Sequence, residues 1–320
     1  MSNSSIGARR PGAIHPGTRT ETFLPPPALR DGVICVIHRD TRDCRLDPLQ
    51  GFTYGTATPN MAIAWYWQGQ PEQLRSWVPD DTSAARTPVE GPIRIVGGST
   101  RPWIHFSDQP YNMLIAVFRP DAMRKWFDLD PQAWQDRAAS LDDLDTDVPW
   151  ASWARQIQAA GEPRTALPLL FEGLLTGRAG CAGAPPSPLT STQWLDHVTT
   201  SCRTGGPAGS ARTAQRRVKQ QLGVSERQAR KLARLESLTI SAADRLLANR
   251  AHSMADLASQ AAFYDQAHMS RDMRSASGFA ASEAMRRGLS DESFWLIRAF
   301  YSIFFKSLVR KPLQAGLFRR

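Results

Sequence analysis

The apolar residues of this chain change their periodicity once, near Pro120, and this change restricts the fold more than any other feature. Between Thr22 and Phe118, short runs of β-branched and aromatic residues are separated by Pro and Gly, a pattern typical of strands joined by turns. After Pro120 the apolar residues recur at helical spacing. The sequence therefore predicts an α+β protein with a β-rich N-terminal part and a helical C-terminal part.

The clearest strand candidates are four runs, at residues 32–37, 61–67, 91–96 and 111–118. Short strands at this spacing favour a sandwich or a barrel, and we expect a β-barrel-like (cupin-like) domain. Amphipathic helices are expected to follow it, at residues 121–127, 131–139, 150–160 and 164–175. The N-terminal part is therefore predicted to be a β-rich domain with trailing helices.

A stretch rich in Gly, Ala and Pro, residues 176–189, separates the two parts of the chain. Such a composition buries little apolar surface and is typical of a linker between domains. The first twenty residues are basic and rich in Ser, Gly and Pro. We therefore expect a flexible tail (1–20), a β-rich sensor or dimerisation domain with trailing helices (21–175), the linker (176–189), an all-helical domain (190–290) and an aromatic, basic helical tail (291–320).

The positive charge of the chain is concentrated in its C-terminal third. Residues 1–200 contain 18 Lys and Arg against 21 Asp and Glu, whereas residues 201–320 contain 21 against 9. Between residues 203 and 234 there are nine basic residues and one acid, Glu226. Such a field attracts polyanions, although a solvated basic face would give the same counts. The position of the charges on the predicted helices decides between these two interpretations.

Residues 253–278 carry the strongest local pattern in the chain. Ser253 is a good N-cap for a short helix, Asp265 is suited to cap a second one, and Gly278 is suited to end it. The residues expected to face inward on the two helices are Met254, Leu257, Ala258, Ala261, Met269, Met273 and Ala276. The pattern predicts a helix-turn-helix unit whose second helix has a free outer face.

The segment MADLASQAAFYDQAHMSRDMRSASG, residues 254–278, resembles the second helix-turn-helix unit of the AraC/XylS family of bacterial transcription regulators. That family joins two such units by a long connecting helix. The segment SARTAQRRVKQQLG, residues 210–223, is similar to the first recognition helix, with residues 191–202 as its supporting helix and residues 225–249 as the connector. The resemblance covers residues 191–290, and a weaker one links the N-terminal part to the sensor half of some members.

The chain departs from the family pattern in three places. Its first turn carries extra residues between 203 and 210, Ala262 stands where the family usually has Gly, and the connector is longer. Each extra helical residue would move the second unit by ~1.5 Å and rotate it about the helix axis. The connector is therefore expected either to break near Ser237, Leu238 and Thr239 or to space the two units unusually.

The resemblance implies that the outer faces of both recognition helices bind double-stranded DNA. Arg pairs with guanine and Gln with adenine in a major groove, and Ser suits either a base or a phosphate. The candidate DNA-binding residues are Arg212, Gln215, Arg216 and Lys219 in the first unit and Gln266, Ala267, Ser270, Arg271 and Arg274 in the second. The implied protein is a sequence-specific transcription regulator. The sequence leaves open whether it activates or represses transcription, and whether it is a monomer or a homodimer. RNA polymerase is a candidate partner. A small-molecule effector that binds to the N-terminal domain is the candidate for regulating the protein's activity.

Trp65 and Trp67 fall on one face of their predicted strand, because successive strand residues point to opposite sides. They are candidates to bind an effector, although such a stripe more often forms core. His38 and His105 are isolated from one another and from acidic residues at metal-ligand spacing. We therefore expect no metal, no cofactor and no enzymatic activity. The rival hypothesis is a ligand-binding or enzymatic cupin-like barrel with a helical interaction module.

Nothing in the sequence indicates export or membrane insertion. The longest apolar stretch, residues 294–308, contains Arg298 and Lys306, and the first twenty residues have no apolar run. The cysteines lack metal-type or redox-type spacing and fit a reducing compartment. We expect a cytoplasmic protein whose C-terminal tail packs back on the helical domain or on a partner chain, with binding to a membrane surface as the alternative.

Overall fold

The computed structural model describes residues 11–144, 148–177, 190–204, 211–247, 254–261 and 263–308. Its strands are β1 (Arg19–Phe23), β2 (Val33–Asp40), β3 (Phe52–Gly55), β4 (Met61–Gln68), β5 (Glu72–Leu74), β6 (Arg86–Thr87), β7 (Ile93–Val96), β8 (Trp103–Phe106), β9 (Asn112–Phe118) and β10 (Ala138–Ser140). Its helices are α1 (Pro120–Phe127), α2 (Ala151–Ala160), α3 (Pro163–Gly177), α4 (Ser191–Thr204), α5 (Ala211–Leu222), α6 (Glu226–Leu247), α7 (Met254–Gln260), α8 (Gln266–Ser277), α9 (Ala281–Ser290) and α10 (Trp295–Leu308).

The strands form two antiparallel sheets, one with the order β1-β2-β9-β4-β7-β10 and a smaller one with the order β3-β8-β5-β6. In the larger sheet β9 lies between β2 and β4, so that Ile115 is opposite Ile37 on one side and Ala64 on the other. The strands β2, β4, β7 and β9 coincide with the four candidate runs in the sequence. The predicted α+β class, with a β-rich N-terminal domain and C-terminal helices, is confirmed.

Different helices cover the two faces of the larger sheet. On one face Trp65 and Leu114 pack against α1, α2 and α3. On the other face Ala64 and Tyr66 pack against α10. Because strand residues alternate between faces, β4 is buried on both sides, which accounts for its nearly continuous apolar sequence.

The C-terminal helix α10 is built into the β-rich domain. It contacts β1 and β2 of the larger sheet and β3 of the smaller one, and it also touches α6. The indole of Trp295 donates a 2.8 Å hydrogen bond to the hydroxyl of Thr53 in β3, and Ala299 and Ile303 join the core of the larger sheet. The tail therefore packs back on the molecule, as expected, but its main partner is the N-terminal domain. Residues 309–320 lie outside the described residues.

Residues 11–20, which we expected to belong to a flexible tail, are packed instead. Ala13 forms an isolated β-bridge with Asp291, and the backbone N–H of His15 donates a 2.8 Å hydrogen bond to the carboxylate of Glu292. The strand β1 then begins at Arg19. The order of this segment comes from contacts with a part of the chain more than 270 residues away, for which the local sequence carries no signal.

The helix expected at residues 131–139 does not form. The chain makes turns there and then enters β10, where Ala139 pairs with Ile95 of β7. Asp136 has a left-handed φ of 55°, and its carboxylate accepts hydrogen bonds from the backbone and the hydroxyl of Thr100. These contacts fix the segment to the edge of the larger sheet and outweigh its helical spacing of apolar residues.

Cleavage of the chain within residues 178–189 is expected to leave two fragments that stay associated. The reason is that α10, the Arg39–Glu292 ion pair and the Arg287–Asp80 ion pair all join residues on opposite sides of the cut. An inserted protease site and size-exclusion chromatography in native buffer would check this. One peak containing both fragments is expected, and separate elution without denaturant would contradict it.

Candidate nucleic-acid interface

The helices α7 and α8 lie where the sequence predicts them. Asp265 is the N-cap of α8, and its side chain accepts a hydrogen bond from the backbone N–H of His268. At the other end Gly278 has a left-handed φ of 79° and donates its N–H to the carbonyl of Arg274. A Cβ at Gly278 would also collide with Trp77, so both the backbone and the packing require glycine. Ser253 and Ala262 lie outside the described residues.

The helix α8 has one buried face and one exposed face. Met269, Met273 and Ala276 are buried against α6 and α7, in a core that includes Leu238 and Leu257. The candidate DNA-binding residues of this helix lie on the other side: Ser270 is half-buried, and the exposed ones are Gln266, Ala267, Arg271 and Arg274. Residues four apart share one face of a helix, so these side chains form one surface.

The helices α4 and α5 form a second pair around a separate core. Trp194 and Leu195 of α4 pack against Val218 and Leu222 of α5. The four candidate DNA-binding residues of α5 are all exposed, namely Arg212, Gln215, Arg216 and Lys219. The chain between the two helices, residues 205–210, lies outside the described residues.

The connector α6 is one continuous helix of 22 residues. It does not break near Ser237 and Thr239, whose hydroxyls donate to the carbonyls of Ala233 and Leu235, four residues earlier in the same helix. At 1.5 Å per residue such a helix is ~33 Å long. The pair α4–α5 packs along its first part, and the pair α7–α8 packs along its middle. Of the two alternatives, the broken connector is wrong.

A basic groove lies between α5 and the first turns of α6. Besides the candidate residues of α5, its walls contain Arg227 and Arg234 of α6. Arg230 also lines the groove, but Glu226 holds it in an ion pair at 3.0 Å. Arg227 and Arg234 are not among the residues predicted from the sequence, where α6 is only a connector, although a spacing of seven places them on one face of a helix.

A buried polar network joins the N-terminal domain to α4 and α6. Arg119, just before α1, donates a 2.9 Å hydrogen bond to the hydroxyl of Ser191 and lies over the ring of Trp194. Ser191 in turn donates from its backbone and its hydroxyl to the carboxylate of Glu236, at 3.1 and 2.6 Å. Burial lowers the pKa of Arg119, and the nearby carboxylates of Glu236 and Asp121 oppose that shift. Arg119 therefore holds the helical part in place.

A cavity of about 270 Å³ lies where the two sheets meet α4, α6, α8, α9 and α10. Most of the side chains in its wall are apolar, such as Ile37, Leu235, Met273 and Phe300. One helix of each pair, α4 and α8, and both sheets therefore line this cavity.

Neither of the two tryptophans expected to bind an effector lines this cavity. Trp65 is 0% exposed and donates a 2.9 Å hydrogen bond from its indole to the carbonyl of Ala154 in α2. Trp67 is half-buried and packs against the same core. The two residues share a face, as their spacing predicts, but the helices after the β-domain cover that face.

The isolated histidines have structural partners. His38 shares a 2.8 Å hydrogen bond with the side chain of Asn112, and the ring of His105 lies against Trp103. Within the described residues, no group of three or more His, Cys, Asp and Glu side chains is arranged to hold a metal ion. In the same part of the chain, no helix is both long enough and apolar enough to cross a membrane.

Comparison with known proteins finds only distant structural likeness. No family model matches the chain, and no curated protein matches it. The chain is similar to the apo K231A variant of ToxT from Vibrio cholerae strain SCE256, with 12% identity, a TM-score of 0.36, and 86% of this chain and 98% of that one covered. It is also similar to ToxT from Vibrio cholerae O395 bound to (E)-4-(8-methylnaphthalen-1-yl)but-3-enoic acid, with 12% identity, a TM-score of 0.35, and 84% and 98% covered.

Proposed function

We propose that the chain is a sequence-specific, DNA-binding transcription regulator of the AraC type. The observation that supports this most is the pair of helices α5 and α8, each with exposed Arg and Gln side chains opposite a buried apolar face. A helix of this kind fits the B-DNA major groove, which is ~12 Å wide. Both pairs pack on the one continuous helix α6, which sets their spacing.

The candidate residues have chemistry suited to different parts of DNA. Arg216 and Arg271 suit bidentate hydrogen bonds to guanine, and Gln266 suits adenine. Lys219, near the end of α5, suits a phosphate, and Ala267 suits contact with the methyl group of thymine. Base recognition is thus assigned to the first half of the exposed face of α8 and to the middle of α5, and a backbone contact to the end of α5.

Control by a small-molecule effector fits the same arrangement. A ligand in the cavity would contact α4, α6 and α8 at once. It would shift the helix pairs to the extent that it binds one of their arrangements more tightly than another. We therefore assign the effector site to this cavity rather than to Trp65 and Trp67. RNA polymerase is the further candidate partner, and no described feature favours the rival enzymatic barrel.

Arg271→Ala should weaken binding to the preferred DNA sequence by about 1–3 kcal/mol and relax the preference at one base pair. The side chain is exposed on α8, so its loss should leave the fold intact. Lys219→Ala should instead weaken all sequences alike and reduce the salt dependence by about one unit of slope. Fluorescence anisotropy with preferred and scrambled DNA separates the two outcomes.

Two further variants separate recognition from folding. Arg155→Ala removes an exposed arginine of α2, far along the chain from the helix pairs, and should leave DNA binding unchanged. Met273→Asp puts a charge into the buried side of α8 and should lower the melting temperature. If Arg271→Ala and Gln266→Ala together leave the sequence preference unchanged in a folded protein, α8 does not read DNA.

A further inference from the structure

The cavity between the sheets and the helices has a size and a wall that restrict what fits it. Its volume is about 270 Å³, and its wall is mainly apolar. An apolar cavity of ~150 Å³ holds benzene, so this one has room for roughly ten to twelve non-hydrogen atoms. An apolar molecule of that size would bury most of its surface here.

Glu236 is the acidic side chain in the wall, and it is already engaged. Its carboxylate accepts the backbone N–H and the hydroxyl of Ser191, and Arg119 donates to that same hydroxyl. A ligand carboxylate would therefore meet a like charge here, and the nearby arginine is committed to the network that joins the domains.

Arg298 is the basic side chain in the wall, and it too has partners. Its guanidinium donates to the carbonyl oxygens of Gly288, Asp291 and Glu292, and it lies 4.0 Å from the Glu292 carboxylate. Within the described residues, the wall thus offers no cation that lacks a partner to an entering anion. Burying an ion without a counterion is strongly unfavourable, so the wall selects against charged ligands.

Asn60 is the polar residue in the wall whose side chain still needs a hydrogen bond. It precedes β4, is 7% exposed and lines the cavity. Its Oδ1 has no hydrogen-bond partner among the described residues. A buried amide oxygen without a partner is unfavourable. Because a side-chain amide has both a donor and an acceptor, it can satisfy a hydroxyl or an amide group of a ligand.

We propose that this cavity binds a small, uncharged, mainly apolar molecule that carries one hydroxyl or amide group, and that Asn60 holds this group. The inference rests on the proposed function where it assigns the molecule a regulatory role, because it gives the chemical class of the effector. The binding step itself depends only on the cavity. The apolar part of the ligand would lie against α6, α8 and α10, and so would link the helix pairs to the β-rich domain.

The test measures ligand binding by the full chain without DNA, using isothermal titration calorimetry. The probes are 1-decanol, decanoate and decylammonium, which share one alkyl chain and differ in the charge of the head group. We expect 1-decanol to bind at least tenfold more tightly than either ion, because only the uncharged head group avoids the cost of burying a charge. Tighter binding of decanoate or decylammonium, or no binding of 1-decanol below its solubility limit, would overturn the proposal.

Asn60→Leu tests the assigned hydrogen bond. It should weaken 1-decanol binding about three- to tenfold, while the melting temperature stays equal or rises because a buried unpaired oxygen is removed. Gln132→Leu, an exposed residue outside the cavity, is the matched control and should change neither value. Unchanged 1-decanol affinity in folded Asn60→Leu would overturn the assignment. No DNA is present in this measurement. A negative result for 1-decanol would therefore not contradict the proposed DNA binding, and a lack of DNA binding would not contradict the binding of 1-decanol.

Discussion

Glu292→Leu is expected to lower the free energy of unfolding by about 3–5 kcal/mol, because breaking a buried ion pair leaves an uncompensated charge. Glu292 is 1% exposed and is paired with Arg39, which is 2% exposed. It also accepts hydrogen bonds from the backbone of His15 and the hydroxyl of Thr18. The substitution therefore removes the acceptor of three residues in two segments at once, and chemical denaturation would measure the loss.

The matched control for this prediction is Asp43→Asn. Asp43 pairs with Arg19 at 3.3 Å, but both side chains are about 70% exposed. A surface pair of this kind contributes about 0–1 kcal/mol, so the control should unfold nearly as the parent does. Equal stability of Glu292→Leu and the parent would show that the pair does not hold the C-terminal segment to the β-rich domain.

The same pair makes stability depend on pH in a defined direction. Burial alone would raise the pKa of Glu292, but Arg39 and Arg298 outweigh burial and hold the pKa below its ordinary value of 4.5. A group whose pKa is lowered by folding stabilises the folded state above its unfolded pKa. This contribution should therefore be lost as the pH falls below 4.5 and through the folded pKa. Glu292→Leu should lack that part of the acid dependence.

Affinity for DNA is expected to fall by roughly 10³–10⁵ between about 50 and 200 mM salt, if six to ten phosphates are contacted. The cause is the release of counterions when exposed cations replace them at the phosphates. The exposed cations that the structure places on α5 and α8 are Arg212, Arg216, Lys219, Arg271 and Arg274. Binding measured across a salt series gives the slope directly, and a flat response would contradict contact with the DNA backbone.

A triple variant shows whether the helix pair, rather than the net charge, is responsible. Replacing Arg212, Arg216 and Lys219 by Ala should reduce the salt slope by roughly three units. A control with the same loss of charge replaces exposed arginines of the N-terminal domain, at Arg75 and Arg101 and in α2 at Arg155. Equal slopes in the two triple variants would mean that binding depends on net charge alone.

The features that the sequence predicted correctly depend on local interactions. The ends of α8 follow from Asp265 and Gly278, whose capping roles involve only residues within one helical turn. The buried stripe of Met269 and Met273 follows from helical periodicity. The strand β4 likewise follows from its own composition. In each case the deciding contacts lie a few residues apart.

The features that the sequence missed depend on contacts between distant segments. The hydrogen bond from Arg39 to Glu292 joins residues 253 positions apart, and no local pattern indicates it. The order of residues 11–20 and the position of α10 between the sheets follow from the same contacts. Residues 131–139 have apolar residues at helical spacing, but Ala139 pairs with β7 and the helix does not form.

The packing of the two candidate tryptophans in the core has a related cause. Alternation showed that Trp65 and Trp67 share a face of β4, but it could not show which face the later helices cover. The cavity instead depends on how five helices meet two sheets, and its residues are scattered from Ile37 to Tyr301. Nothing in the sequence around Asn60 indicates that this residue lines the same cavity as residues far along the chain.

Selection of bound sequences from a random pool of double-stranded DNA, by the full-length protein at low salt, tests the central claim most directly. We expect enrichment of one motif with two half-sites, one for each of the helices α5 and α8. In Arg271→Ala the preference at one base pair of one half-site should be lost, and the other half-site should be unchanged. A folded protein that enriches no sequence over the starting pool would contradict the claim that this chain is a sequence-specific DNA-binding regulator.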